Sequence, residues 1–173
     1  EGTSARLLRQ AKGAPVDAGL GLVVQAMALG LGRAESGSGV MQFVDSTTGK
    51  PGINGRYLSQ SQGREALARR EGSLYLTRDP RGPSLEELCP GPFDELVRLG
   101  SVSRQGLREE MQIEFTIENG HLHVLDALKV ARTSRAAVTI AVALAEDGVI
   151  EREEALLRIQ PRALSELLRP QVD

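Results

Sequence analysis

The chain has two histidines, His121 and His123, and they are the first residues to consider for chemistry. They alternate in the segment HLHVLDAL, and alternate side chains of a strand point to the same face. Because imidazole nitrogens bind metals and can form covalent intermediates, a metal-binding or phosphoryl-accepting role is one interpretation. Two histidines at this spacing beside a turn are more often simply exposed, and we favour that interpretation.

Cys89 is the single cysteine of the chain, which excludes an internal disulfide and a zinc cluster built from thiolates. It stands beside Pro90 without the partners of an activated nucleophile, so we expect an inert thiol. Three arginines, Arg64, Arg69 and Arg70, form a basic cluster that we interpret as a solvated face instead of a binding patch.

Charge and hydropathy exclude several classes of protein. The 173 residues contain 21 Lys plus Arg against 23 Asp plus Glu, a net charge of -2. This balance gives no sign of a nucleic-acid or membrane partner. There is no apolar run of the roughly 18 residues that a transmembrane helix needs, and the N-terminal EGTSARLL does not resemble a signal peptide. We therefore expect a cytoplasmic protein.

Several segments that could position a site are predicted to be strands. MQIEFTIE alternates apolar and polar residues, Asn119-Gly120 is a favoured two-residue turn, and HLHVLDAL returns as the second strand of a hairpin. Upstream, residues 20–29 (LGLVVQAMAL) have the length and composition of a buried strand. The glycine-rich GLGRAESGSG predicts a turn. Residues 40–44 and 54–60 predict two further strands. Together with residues 20–29 they would form an antiparallel meander.

Helices are predicted mainly in the later part of the chain. Pro92 can open a helix that runs to residue 110, because proline fits the first helical turn. Thr133 is a plausible N-cap of the helix SRAAVTIAVALAED, which Gly148 would end. EREEALLRI and PRALSELLR predict two short amphipathic helices. The fold class is therefore α+β, with the sheet first and helices at the end.

Three segments, in this order, resemble the ATP-grasp nucleotide-binding region of the pyruvate phosphate dikinase family. VVQAMALGLGRAESGSGV is similar to the family's strand, glycine-rich turn and strand. TTGKPGINGRYLSQSQGRE is similar to a Thr-Gly turn that leads to a strand and a Gln-Gly-Glu. The third segment, residues 111–168, contains the family's run into a helix, here RTSRAAVTIAVALAEDGVIEREEALLRI. The resemblance extends over residues 14–172.

The resemblance implies two parts: the antiparallel sheet of an ATP-grasp C-terminal subdomain in residues 1–130 and a helical linker segment in residues 131–173. It also implies ATP and Mg²⁺ as ligands. Family members phosphorylate pyruvate by passing a phosphoryl group from this region to a histidine domain and then to a barrel domain. The chain would hold only the second part of the nucleotide-binding region, and its partners would include the other domains of a longer parent protein.

The family's carboxylates and arginine are partly replaced. Its Asp-Ile-Glu on one hairpin strand has Gln112 and Glu114 at its ends here, and its Gln-x-Arg on the return strand has Asp126 and Leu128. Leu128 cannot carry the charge or the bidentate hydrogen bonds of arginine. Because Mg²⁺ prefers hard oxygen ligands, a metal site formed by Glu114 and Asp126 is one hypothesis. Two solvated residues on the exposed face of a hairpin are the alternative.

The resemblance also indicates nucleotide-binding residues. The family's Ser-Gly-Thr-Gly is here a Ser-Gly-Ser-Gly that contains Gly37, Ser38 and Gly39, in a turn whose backbone N–H groups could face phosphates. A plain tight turn is the alternative. Gln25 matches a glutamine of the family, and a buried structural amide is its alternative interpretation. Two family carboxylates are arginines here, Arg56 and Arg64, which could attract a phosphate but could not do the work of a carboxylate.

Three functional hypotheses follow. The first is a fragment or degenerate homologue of the dikinase nucleotide-binding domain, without phosphotransfer activity of its own, because charged residues of the family are replaced. The second is a part of a longer, active ATP-dependent phosphotransferase. The third is a non-catalytic scaffold or regulatory module that binds another protein.

Overall fold

The computed structural model describes residues 2–15, 19, 21–61, 72–161 and 164. Residues 62–71, which include Gln62, Arg64, Arg69 and Arg70, lie outside the described part, as does most of the predicted helix PRALSELLR. The elements of the described part, in chain order, are α1 (Thr3–Ala11), β1 (Gly37–Val44), β2 (Pro51–Ser59), α2 (Leu85–Leu88), α3 (Pro90–Leu107), β3 (Met111–Glu118), β4 (His121–Lys129), α4 (Ser134–Glu146) and α5 (Arg152–Arg158).

The four strands of the described part form one antiparallel sheet in the order β2-β1-β3-β4. This arrangement confirms the α+β class with an antiparallel sheet followed by helices. The hairpin of β3 and β4 is confirmed with its turn, in which both Asn119 (φ 49°) and Gly120 (φ 80°) have positive φ, as a type I′ turn requires. A β-bulge between Glu114 and Phe115 shifts the register of this hairpin. The division of the chain at residue 130 stays a prediction.

The strand predicted at residues 20–29 is wrong, and with it the meander. Leu20 lies outside the described residues, and residues 21–29 have no regular secondary structure. Leu22, Val23 and Val24 of this run are 86%, 81% and 88% exposed. The physical reason is that β1 already pairs with β2 on one side and β3 on the other. β1 therefore has no free edge with which this run could pair in the predicted meander.

The turn predicted at Gly37–Gly39 is also wrong, because these residues begin the central strand β1. On one face of the sheet the rings of Tyr57 and Phe115 stack across Gly39, with centroids 6.1 Å apart and planes 3° apart. A Cβ atom at Gly39 would lie 2.6 Å from the Phe115 ring, and one at Gly37 would lie 2.6 Å from the Tyr57 hydroxyl. The glycines therefore serve close packing in a strand.

The main core lies between this aromatic face and α3. Phe93 and Leu96 of α3 pack with Met41, Tyr57 and Phe115 of the sheet. The helix begins at Pro90, two residues before the predicted Pro92, and ends at Leu107 instead of residue 110. Pro90 occupies the first helical turn, so the physical reason for a helix start at a proline holds here.

A second core holds α4 and α5 at the end of the sheet where β1 ends. Ile140 and Leu144 of α4 pack with Val44 and Val130. The predicted cap is confirmed, because the Thr133 hydroxyl accepts a hydrogen bond from the Ala136 N–H at 3.2 Å. Gly148, with φ 69°, follows the end of the helix as expected.

A buried ion cluster around Glu109 joins the segment between α3 and β3 to the end of β4 and to the segment that precedes α4. Both oxygens of Glu109 accept hydrogen bonds from Arg132, at 2.7 and 2.9 Å, and Lys129 lies 2.8 Å from one of them. Burial raises the pKa of Glu109, but the hydrogen bonds from Arg132 and Lys129 outweigh it and hold the pKa at about 2.

None of the helices in the described part of the chain combines the length and the apolar character of a membrane-spanning segment.

Replacing Gly39 tests the aromatic contact. Gly39→Ala should lower the free energy of unfolding by about 1–3 kcal/mol, because the new methyl group overlaps the Phe115 ring and the Arg56 carbonyl. Gly106→Ala is the matched control: a Cβ atom at this helical residue meets nothing within 4 Å, so the change should be neutral or stabilising by up to about 1 kcal/mol. Urea unfolding measures both, and equal effects of the two substitutions would contradict the packing role.

Acid should weaken the fold through Glu109. Its folded-state pKa of about 2 lies below the ordinary value of 4.5 for a glutamate, so its contribution to stability is complete above pH 4.5 and is lost as the pH falls from there towards 2. Glu109→Gln should lower the free energy of unfolding by about 1.5–3 kcal/mol at pH 7, and this difference should shrink below pH 4.5.

The control for Glu109 is Glu95→Gln, which removes the same charge from an exposed ion pair with Arg98 on α3. Its effect at pH 7 should be clearly smaller than that of Glu109→Gln, because exposed ion pairs contribute little to stability. Urea midpoints measured from pH 7 to pH 3 give both values. A difference between wild type and Glu109→Gln that is independent of pH would contradict the assignment.

Candidate functional site

The face of the sheet opposite the Tyr57 and Phe115 rings, called the polar face below, carries three of the six site residues indicated from the sequence, namely Ser38, Glu114 and Asp126. Residues in direct register across strands point to the same face. The register therefore arranges the polar face in three rows across β2, β1, β3 and β4: Asn54, Gln42, Gln112, Leu128; Arg56, Val40, Glu114, Asp126; and Leu58, Ser38, Thr116, His123.

Glu114 and Asp126 are direct cross-strand partners in the middle row. The Cβ atoms of such a pair lie about 4.5–5.5 Å apart, and like charges at this separation repel each other. Glu114 is half-buried and Asp126 is exposed, with one Asp126 oxygen accepting a hydrogen bond from the Ala127 N–H at 2.8 Å. No other described residue forms an ion pair with either carboxylate. A cation placed between them would relieve the repulsion.

The donor set suits Mg²⁺ bound together with phosphate. Among the described residues there is no group of three or more His, Cys, Asp or Glu side chains that could hold a metal ion. Nucleotide-bound Mg²⁺ does not need such a cage, because it takes one or two protein carboxylates and fills its remaining positions with phosphate oxygens and water. The pair Glu114–Asp126 meets that smaller requirement.

Ser38 and Thr116 are neighbours in the next row and are both buried. Their hydroxyls lie 3.0 Å apart, and the Ser38 hydroxyl also donates to the Ser61 carbonyl at 3.1 Å. Because Gly37, Ser38 and Gly39 belong to a strand that is paired on both sides, the phosphate-facing turn expected here does not exist. A nucleotide-binding role for these three residues stays a prediction.

Gln25 is exposed, so its interpretation as a buried structural amide is wrong. Together with Ala26, Met27 and Ala28 it forms one wall of a cavity of about 510 Å³, and the opposite wall comes from β3 and β4. His123 and Glu118 line this opposite wall, with the His123 Nε2 3.9 Å from a Glu118 oxygen. A cavity of this volume is within the range of small-ligand sites.

The two histidines and the cysteine differ in their exposure to solvent. His121 and His123 are both exposed, as favoured from the sequence, although His123 also borders the cavity. Cys89 is buried in the main core. Burial raises the pKa of its thiol, so the environment fits the inert thiol that we expected.

A network that the sequence did not reveal fixes the segment between the cavity and β1. The Asn119 side-chain oxygen accepts hydrogen bonds from the N–H groups of Arg33 and Ala34, at 3.0 and 3.3 Å. A Glu35 oxygen accepts from the hydroxyls of Tyr57, at 2.8 Å, and Ser59, at 2.9 Å. Burial and the hydrogen bond to Glu35 raise the pKa of the Tyr57 phenol far above its ordinary value. Asn-Gly signalled a hairpin turn, but no local pattern signals these long-range contacts.

The chain is similar to proteins named pyruvate, phosphate dikinase. It is 35% identical to one from Rhizobium meliloti over 171 residues, which cover 95% of the chain and 19% of that protein. It is 34% identical to one from Clostridium symbiosum over 156 residues, 90% of the chain and 17% of that protein. The rice protein pyruvate, phosphate dikinase 1, chloroplastic is 32% identical over 157 residues, 90% of the chain and 16% of the rice protein.

The matched region is nearly the whole chain but less than a fifth of each of these relatives. No protein-family model matches the chain.

Proposed function

Because this chain belongs to the pyruvate, phosphate dikinase family, as a segment that matches less than a fifth of its relatives' length, we propose that its polar face binds ATP together with Mg²⁺. We further propose that the chain by itself does not transfer the phosphoryl group. The observation that carries the proposal is the register pair Glu114–Asp126, two carboxylates that lack any cationic partner among the described residues.

Binding without transfer is supported by the charges around this pair. Phosphoryl transfer depends on cations that neutralise the charge developing on the transferred group. The resemblance to the family implies an arginine where β4 carries Leu128, which is 43% exposed and uncharged. It also implies a carboxylate where β3 carries Gln112, so one metal ligand is weakened to an amide. Both changes remove groups that act on phosphate or metal, and neither disturbs the sheet.

A phosphotransferase function within a longer parent protein is a second proposal, motivated by the much greater length of the relatives. Residues outside this chain would then complete the site. In that setting Glu114 and Asp126 would still hold the metal, and the missing cations would come from elsewhere in the parent. ADP formation by a longer protein, but not by this chain, would favour this proposal.

Substitution of the carboxylate pair tests the site. Isothermal titration of the chain with ATP in excess Mg²⁺ should show binding, and Glu114→Gln or Asp126→Asn should each lower the affinity at least about 10-fold by removing a metal ligand. Glu153→Gln, on the exposed surface of α5, removes one negative charge elsewhere and should leave the affinity unchanged. Without metal, either substitution should raise the thermal midpoint, because it relieves the repulsion between the two carboxylates.

Two results would contradict the proposal. Undiminished Mg²⁺-dependent ATP binding in both variants would remove the carboxylate pair from the site. Multiple turnovers of ATP to ADP by the chain alone would show that it transfers or hydrolyses phosphate without further domains.

A scaffold or regulatory function is a third proposal, and the exposed apolar surface favours it. Leu22, Val23 and Val24 precede the cavity, and Val124 and Leu125 on β4 are 47% and 54% exposed. Exposed apolar patches often mark protein-binding sites.

The third proposal is tested by light scattering at increasing concentration. If this surface binds protein, the chain should self-associate or bind other domains of its parent, and Val23→Lys with Leu125→Lys should abolish the association. The control Leu157→Lys changes an apolar side chain that is 86% exposed on α5, away from this surface. A monomer that binds none of those domains would argue against a scaffold function.

A further inference from the structure

Arg56 has a distinctive position on the polar face. It lies on β2 in the same row as Val40, Glu114 and Asp126. Neighbouring strands are about 4.8 Å apart, so the Cα atoms of Arg56 and Glu114 are separated by about 10 Å, with one strand between them. The residue on that strand is Val40, which is apolar and only 7% exposed. A cation and a carboxylate pair thus stand on either side of a residue that cannot bind a ligand's charge.

Among the described residues, the guanidinium group of Arg56 has no partner. Its Nε atom is buried and makes no hydrogen bond, and none of the described residues pairs with the rest of the side chain. Buried polar groups without a partner are rare, and a charged donor left in this state is costly. Such an atom is an indication that an acceptor outside the chain completes the site.

In the described part of the chain, the opposite side of the polar face supplies no cation of this kind. Leu128 ends the neighbouring row on β4, and the adjacent Lys129 lies 2.8 Å from Glu109 and is thereby engaged in the buried ion cluster. Of the four residues in the middle row, Arg56 is the one with positive charge.

We propose that Arg56 binds phosphoryl oxygens of the polyphosphate whose Mg²⁺ is held by Glu114 and Asp126. The cation of this site then stands on β2 instead of β4. This inference rests on the proposed nucleotide-binding function and adds the residue that recognises the anion. A guanidinium suits the role because it stays charged at every working pH and presents donors in a fork that fits phosphate oxygens.

The arrangement places opposite charges at the two ends of one ligand. Phosphate oxygens close to the carboxylate pair need a metal ion between them and the protein, whereas oxygens close to Arg56 can bind directly. A polyphosphate therefore satisfies both ends at once. The phosphate-rich part of the ligand should bind through Arg56, while the nucleoside should not depend on it.

The test compares three ligands on the full chain: ATP with Mg²⁺, inorganic pyrophosphate, and adenosine. Arg56→Gln should lower the affinity for ATP and for pyrophosphate at least about 10-fold, because charge-assisted hydrogen bonds are lost. Affinity for adenosine should not change. Arg56→Lys keeps the charge but lacks the forked donors, so its affinity for ATP and pyrophosphate should lie between those of wild type and Arg56→Gln. Arg98→Gln is the charge-matched control, since Arg98 is exposed on α3 and paired with Glu95.

The outcomes separate this inference from the function on which it rests. If Arg56→Gln binds pyrophosphate like wild type, or wild type does not bind pyrophosphate, the role of Arg56 is overturned. ATP binding that depends on Glu114 but not on Arg56 overturns it as well and leaves the metal site standing. Pyrophosphate binding in EDTA that depends on Arg56, with ATP binding indifferent to Glu114 and Asp126, supports Arg56 and contradicts the metal site.

Protein stability provides a second readout. Removing a half-buried guanidinium whose Nε atom has no described partner should leave the thermal midpoint of Arg56→Gln unchanged or raise it. Pyrophosphate should raise the midpoint of wild type but not of this variant. A lower midpoint without ligand would show that the guanidinium is held by the protein itself, and it would overturn the inference.

Discussion

The contact between the Tyr57 and Phe115 rings across Gly39 is the constraint on which the rest of the sheet depends. Two large aromatic side chains from β2 and β3 can meet over β1 only if the residue between them has no side chain. Aromatic pairs stabilise a core beyond the area that they bury. The contact fixes which face of all three strands is turned towards α3. Alternation along each strand then fixes the composition of the opposite, polar face.

The same register sets the chemistry of the polar face. Once Gly39 is held between Tyr57 and Phe115, the next position brings Arg56, Val40 and Glu114 into one row, and the hairpin adds Asp126. A one-residue slip would move all of these side chains to the other face. The β-bulge after Glu114 also matters, because it lets β4 keep Asp126 opposite Glu114 while His123 stays opposite Thr116.

Local patterns were sufficient for much of the fold. The Asn-Gly turn, the alternation in MQIEFTIE and the cap at Thr133 depend on neighbours in the sequence, and each was predicted correctly. The order of the strands in the sheet could not be predicted from such local patterns. The run at residues 20–29 has the composition of a strand, but the predicted meander required the edge of β1 that pairs with β3 instead. The turn prediction for Gly37–Gly39 was wrong because glycines occur both in turns and where rings pack closely over a strand. Composition does not distinguish the two.

In the candidate site, too, local patterns predicted some features and the strand order decided the others. The hypothesis that Glu114 and Asp126 act together came from the sequence and the resemblance, and their direct register follows from the hairpin. The position of Arg56 in the same row could not be derived, because it requires knowing that β1 separates β2 from β3. From the sequence alone, the loss of positive charge at Leu128 and its appearance at Arg56 are unrelated substitutions on different segments. On the sheet the two positions stand at opposite sides of one carboxylate-containing surface, so under the role proposed for Arg56 the positive charge changes strand instead of disappearing.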